Sequence, residues 1–144
     1  MLRFGWFYGP GARHSEQIFG LAGCHIGVVA GPPDSYISSI HLADAGAAVA
    51  AALHAPPGTY NIGDDEPLTK RDYAAALATA ARRKAWLRGA GRVALLLGDR
   101  LTSLTRSLRV SNARFRGAPR WSPRYPNARE GWIATAEELD QGSP

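Results

Sequence analysis

Cysteine is almost absent from this chain of 144 residues: Cys24 stands alone, so no internal disulfide can form. The opening residues, Met1-Leu2-Arg3-Phe4-Gly5-Trp6, lack the charged start and long apolar stretch of a secretory signal. Both absences exclude the disulfide-stapled secreted class and lead to the expectation of a reducing, cytoplasmic setting. Long hydrophobic runs are missing too. The longest, Ala45 to Leu53, is mostly alanine and far short of the ~20 residues that span a bilayer, so no membrane partner is expected. Histidine is sparse, and His14, His25, His41 and His54 show no metal-ligand spacing, so no metal is expected. Acid is scarce in one region. Thirteen of the seventeen Lys and Arg residues lie from Arg82 to Arg129, with Asp99 and Glu130 the only acids in or beside that block.

What is present bounds the class. Apolar residues make up 45% of the chain, which excludes a disordered composition. Its length suits one unit, residues 1–144, with a modest core of its own. The basic block is open to three readings: a solvated surface, the wall of a pocket for an anionic cofactor, or a nonspecific nucleic-acid face. No zinc-ligand spacing, RNP motif or helix-turn-helix pattern accompanies it, so no specific nucleic acid is expected.

Along the chain, Leu2 to Phe7 reads as a buried strand stopped by Gly9-Pro10-Gly11. Ser15 is placed to cap a short helix containing Ile18, Phe19 and Leu21. Ile26 to Ala30 is a second strand candidate, and Tyr36 to Leu42 reads as extended. An alanine-rich helix is expected from Asp44, its N-cap, to about His54, with a short strand from Thr59 to Gly63 beyond it. Thr69 with Asp72 forms a capping box for a helix that puts Tyr73, Leu77 and Ala80 or Ala81 on one face. Val93 to Leu97 and Leu101 to Leu104 suggest another helix. Ser111 and Asn112 can cap a short one, and Asn127 with Glu130 forms a second capping box before the last. Strands alternating with helices make an α/β pattern.

Four segments together resemble the carboxy-terminal part of extended short-chain dehydrogenases, the NAD-dependent epimerase/dehydratase family. They are Leu2 to Gly11; Ile40-His41-Leu42-Ala43-Asp44-Ala45; Gly58-Thr59-Tyr60-Asn61-Ile62-Gly63 with Glu66-Pro67-Leu68-Thr69; and Val110 to Arg114 leading to Trp121-Ser122-Pro123-Arg124-Tyr125-Pro126 and Arg129-Glu130-Gly131. All four stand in family order at family spacing and cover most of the chain. The resemblance implies an α/β fold: the last strands of a doubly wound, Rossmann-like parallel sheet plus a small substrate-side subdomain. It implies NAD or NADP as cofactor of the complete enzyme, and a small-molecule substrate. A separate amino-terminal half, or a second copy of the chain, is an expected partner.

In doubly wound sheets ligands sit outside the carboxyl ends of the strands. On this resemblance Gly5 and Phe7 are the cofactor-facing candidates, Gly5 because a missing Cβ permits close backbone approach. Trp6 and Tyr8 are the substrate-pocket candidates. Arg106 and Arg109 are candidate anion contacts, while Ile37, Ser38 and Ser39 occupy the stretch where sugar-nucleotide members carry a phosphate-gripping arginine. His41 titrates near neutrality in principle, yet the resemblance puts it at a strand-to-helix junction as a structural residue. Asn61 is expected to bond backbone in a turn.

Two family devices are missing. The only glycine pattern of the right kind, Gly20-x-x-Gly23-x-x-x-Gly27, precedes a strand instead of following one, so its amides do not meet a phosphate at a helix start. No tyrosine stands four residues before a lysine: the residues at that offset are Ala12, Ile40, Asp64, Leu77 and Arg129. No catalytic residue is therefore assigned, and the chain is expected to be inactive alone.

Overall fold

The structure is a computed structural model that describes residues 1–23, 26–27, 32–82, 87–88 and 106–141. Its elements run β1 (Leu2–Phe4), β2 (Trp6–Tyr8), α1 (Arg13–Gly23), β3 (Ile26–Gly27), β4 (Tyr36–Ile37), β5 (Ser39–His41), α2 (Leu42–Ala52), β6 (Tyr60–Ile62), β7 (Leu68–Thr69), α3 (Lys70–Ala80), β8 (Leu87–Arg88), α4 (Ala113–Gly117) and α5 (Ala128–Gln141). The helix expected over Val93 to Leu104 lies outside the described residues.

The first apolar run is not one strand but two. Up to Phe4 it pairs in parallel with β6, Phe4 opposite Ile62; from Trp6 it pairs in parallel with β5, Tyr8 opposite His41. The change of partner falls on Gly5, whose N–H bonds to Ile62 while the N–H of Trp6 bonds to the Ser38 carbonyl, both at 2.8 Å. A Cβ on Gly5 would stand 2.7 Å from that carbonyl oxygen. Only glycine lets the two neighbouring strands converge there. Gly9, at φ +120°, then turns the chain out of β2. Parallel strands linked through helices give the α/β class, with β4 and β7 as an antiparallel addition.

Several caps differ from the sequence expectation. Ser15 lies inside α1 and does not begin it; its hydroxyl is buried. The N-cap of α2 is His41, whose Nδ1 accepts from the Ala43 amide at 3.2 Å. Asp44 is thus not a cap of its own helix. Its carboxylate instead accepts from the amides of Arg124 and Tyr125, at 2.8 and 3.0 Å, anchoring a turn eighty residues away in the chain. Asn61 sits within β6, not in a turn. Asn112 makes no capping bond; its amide donates to the Gly63 carbonyl and to Asp65, while Ser111 accepts from the Ala113 amide. The other caps form as read. Thr69 caps α3 and meets the Asp72 carboxylate, and Asn127 accepts from the amides of Arg129 and Glu130.

Two hydrophobic clusters result. One joins Tyr8 to Leu68, Tyr73, Ala76, Leu77, Ala128 and Trp132, with Phe19 of α1 against it. The other joins Ile40, Ala45, Ala48, Tyr60, Ile62, Phe115 and Trp121, with Leu2 and Phe4 at its margin.

Candidate ligand site at the end of the second strand

The carboxyl end of β2 divides its three side chains among three environments, because successive residues of a strand point to opposite faces. Trp6 is half-buried, with its ring edge-on to His14 of α1 at 5.4 Å between centroids. Phe7 is exposed and tilts against Phe4 at 5.2 Å. His14 closes the corner: its Nε2–H donates to the Phe7 carbonyl at 2.6 Å. Trp6 and His14 therefore form one partly accessible surface of a ring face and a ring nitrogen, while the Phe7 side chain lies on the opposite face of the strand with Phe4. Of these, His14 went unnoticed in the sequence. Its position six residues beyond Tyr8, across a Gly-Pro-Gly loop, was the available signal.

Tyr8 belongs to the core. Its ring is fully buried, 5.3 Å from both His41 and Trp132 and 6.4 Å from Tyr73. The room left by Gly5 is occupied by the Ser38 carbonyl, so that glycine serves strand approach. Arg106 and Arg109 are exposed, on a segment that runs beside β4. The Arg109 guanidinium lies over the Tyr36 ring at 4.9 Å, and Ser38 ties the segment in: its hydroxyl donates to the Leu108 carbonyl and accepts from the Val110 amide. Ser38 thus links Trp6, through its carbonyl, to the segment that carries Arg106 and Arg109, through its hydroxyl. The glycines at positions 20 and 23 lie within α1, where they form no phosphate-binding turn.

Beneath this surface stands a buried polar group that sequence reading missed. Asp64 follows Gly63 in the acidic run Asp64-Asp65-Glu66, which looks like a solvated loop, yet Asp64 is 2% exposed. Ser39 donates to its Oδ2 at 2.8 Å. Burial pushes the carboxyl up from 3.8 to about 8, although the hydrogen bond from Ser39 works in the opposite direction. Burial and the neighbouring Asp64 charge also raise the Tyr8 phenol, so it stays protonated at any physiological pH. His41 is lowered by burial, with Asp44 opposing, and its geometry suits the neutral ring: Nδ1 accepts from Ala43, leaving Nε2–H facing the Thr135 hydroxyl at 3.4 Å. Its role is structural. Among the described residues no three His, Cys, Asp or Glu side chains form a metal-holding group, and no helix is long and apolar enough to cross a membrane.

Solved structures supply the wider frame. Over 96% of its length the chain matches 48% of the human epimerase family protein SDR39U1 (isoform 2), solved with NADPH, at TM-score 0.86 and 20% identity. The fold is that of half an epimerase/dehydratase-type protein. It matches a functionally unknown conserved protein from Silicibacter pomeroyi at TM-score 0.69 and 25% identity, covering 96% of this chain and 48% of that one. The UDP-glucose 4-epimerase of Thermotoga maritima, solved with UDP-glucose, matches at 0.67 and 16% identity, with 97% of this chain and 45% of that one covered. No family model and no curated protein matches the sequence. The chain spans about half the length of the solved structures it resembles, consistent with their carboxy-terminal half.

Proposed function

We infer that the chain is the substrate-side portion of an NAD(P)-dependent oxidoreductase or epimerase of the extended short-chain dehydrogenase family, residues 1–144 forming its carboxy-terminal part in the cytoplasm. The observation that carries this reading is the match of nearly the whole chain to half of an NADPH-bound epimerase-family protein. In this reading Phe7 and the Gly5 backbone lie against the nicotinamide end of the cofactor. Trp6 lines the space for a small-molecule substrate, and Tyr8 braces it from the core. Arg106 and Arg109 supply an anion contact beyond Ser38. The pyrophosphate needs a glycine-rich turn at a helix start, and the reaction needs a tyrosine activated by a lysine; neither is in this sequence.

The test is nicotinamide absorbance with a panel of alcohols, aldehydes and sugar nucleotides. The pure chain gives no turnover; turnover by it that disappears on Trp6→Ala overturns the reading. A second reading is favoured by the exposed Phe7 and by β1 having one ladder partner among the described residues: a non-catalytic module that completes a separate amino-terminal half or a second copy of itself. Chromatography with and without a half carrying the glycine-rich turn and the Tyr/Lys pair separates the two.

A further inference from the structure

One histidine stands where β2, β5, α2 and α5 meet. His41 closes β5, precedes the first residue of α2, and lies opposite Tyr8 in the β2–β5 ladder. It is 2% exposed. Its ring is edge-on to Tyr8 at 5.3 Å and tilts against Tyr125 at 4.5 Å between centroids. Gly9 passes so near that a Cβ there would stand 2.8 Å from His41 Nε2. These neighbours leave the ring no room to turn over, so each nitrogen keeps its own partner.

The two partners demand one tautomer. Nδ1 accepts from the Ala43 amide at 3.2 Å, the side-chain cap of α2, so it must present a lone pair. The Thr135 hydroxyl donates to the Gly131 carbonyl at 2.7 Å, so its oxygen meets Nε2, 3.4 Å away, as an acceptor. A neutral ring with its hydrogen on Nε2 satisfies both. A proton added at Nδ1 sets N–H against N–H and lays positive charge on the end of a helix that repels cations. We propose that His41 is an acid-sensitive pin: neutral, it fastens β5 to α2 and α5 behind the end of β2, and protonation at Nδ1 uncaps α2 and loosens that junction.

Charged groups face the ring from α2, from α5 and from the turn before α5. Asp44 and Glu138 favour the imidazolium, while Arg124 opposes it. The Asp44 carboxylate is directed to the amides of Arg124 and Tyr125, which anchors the turn that carries the Tyr125 ring against His41. From β2, Tyr8 presents a phenol that stays protonated. Burial outweighs the two acids and holds the imidazole below its ordinary 6.5. The unfolded chain therefore takes up this proton more readily than the folded one. The pin contributes in full above about pH 6.5, and its contribution is lost as pH falls from there through the lower, folded-state value. This inference needs neither cofactor nor second half, so it stands or falls separately from the function proposed above.

The experiment follows the His41 ring and the Ala43 amide by NMR titration, beside thermal melts of the wild-type chain and His41→Asn from about pH 8 to 5. Asparagine caps helices well and does not titrate in that window. The ring carries its hydrogen on Nε2 at neutral pH and titrates below 6.5, and the Ala43 amide shifts with the same midpoint as its bond to Nδ1 is lost. Asp64, pushed up to about 8, stabilises the fold as pH falls, but it does so in both chains, so the difference between the two melting curves is what reads the pin. Relative to His41→Asn, the wild-type chain loses a few degrees of Tm on going to the acid end. A ring with its hydrogen on Nδ1, a midpoint at or above 6.5, an Ala43 amide indifferent to that titration, or melting curves that stay parallel overturns the pin. Should His41→Asn fail to fold, the ring and the Ala43 amide of the wild-type chain decide.

Discussion

Two buried tyrosines separate the two halves of the core. Tyr60 stands in the cluster of β1, β6, α2 and α4, and its hydroxyl donates to the Pro56 carbonyl at 2.8 Å. Tyr8 stands in the cluster of β2, α3 and α5, and its hydroxyl has no such bond among the described residues, only an ionisable carboxyl facing it. The first half bonds its tyrosine hydroxyl but leaves the Trp121 indole N–H without a partner among the described residues, while the second carries the buried Asp64 carboxyl and, at its rim, the candidate ligand surface. Strength of packing and sensitivity to pH are thus distributed unequally. Substitutions in the two halves should report on different properties.

The largest effects test packing alone. Trp132 is buried among Tyr8, Tyr73 and Phe19, the last stacked at 6.1 Å and 14°. Phe115 is its counterpart, fully buried between Tyr60 and Trp121. Truncating either to alanine should cost about 3–5 kcal/mol in urea unfolding. That is a large part of the ~5–15 kcal/mol that holds a typical domain. The comparison requires the Phe115→Ala cost to be the same at about pH 6 and pH 9, since Asp64, the carboxyl that burial raises into that window, is beside Tyr8 and not beside Phe115. A Phe115 cost that changed with pH would merge the two halves into one.

Asp44 comes next, because it joins the halves. It is 3% exposed, sits on α2 with the Ile40 cluster, holds the turn at Arg124 and Tyr125, and raises Asp64 in the other half. Asp44→Ala orphans two amides that bonded to a charged acceptor, a loss of about 2–4 kcal/mol. It also removes a charge that opposes Asp64 ionisation. The pH at which Asp64 titrates should therefore fall, measured by NMR on its carboxyl carbon. Unchanged titration would mean that the two carboxyls do not sense each other across the core.

How much of this was legible in the sequence follows the same division. The strand–helix order and the face of α3 carrying Tyr73, Leu77 and Ala80 were readable, because periodicity is a local property. The Thr69 and Asn127 caps were readable for the same reason. Asp44 was misread as a cap because a short acid before an alanine run has that local signature; its partners lie eighty residues downstream. Leu2 to Phe7 was misread as one strand because the partner switch at Gly5 depends on where β5 and β6 converge, which no local pattern records. Tyr8 was placed at the pocket and Asp64 was passed over, yet both are buried. Alternation along β2 turns Tyr8 inward, and an acid beside two other acids gave no sign that it would be buried. The fold was carried by local signals, and the polar interior of the site by long-range ones.

The smallest effects lie at the rims, and they sharpen the contrast where electrostatics is weakest. Arg116 bonds Asp65 Oδ2 at 2.9 Å on the Tyr60 side, and Arg129 bonds Glu66 at 3.2 Å, with Asp72 at 3.9 Å, on the Tyr8 side. The arginines are equally exposed, at 47% and 46%, so solvent screening of the cations does not distinguish them. Their partners differ. The Asp65 side chain is 26% exposed and is already fixed by the Asn112 amide at Oδ1, 2.8 Å away, whereas Glu66 is 59% exposed on a longer side chain that accepts only a 3.4 Å bond from the Asn127 amide. An ion pair gains only what remains after its side chains are ordered, and Asp65 has little ordering left to lose. Arg116→Ala should therefore cost more than Arg129→Ala, though each stays below about 1 kcal/mol. Both costs should shrink in high salt, since these charges face solvent. Denaturant titrations at low and high ionic strength measure this. An Arg129→Ala cost above that of Arg116→Ala would show that pre-ordering of the acid does not set the strength of these pairs.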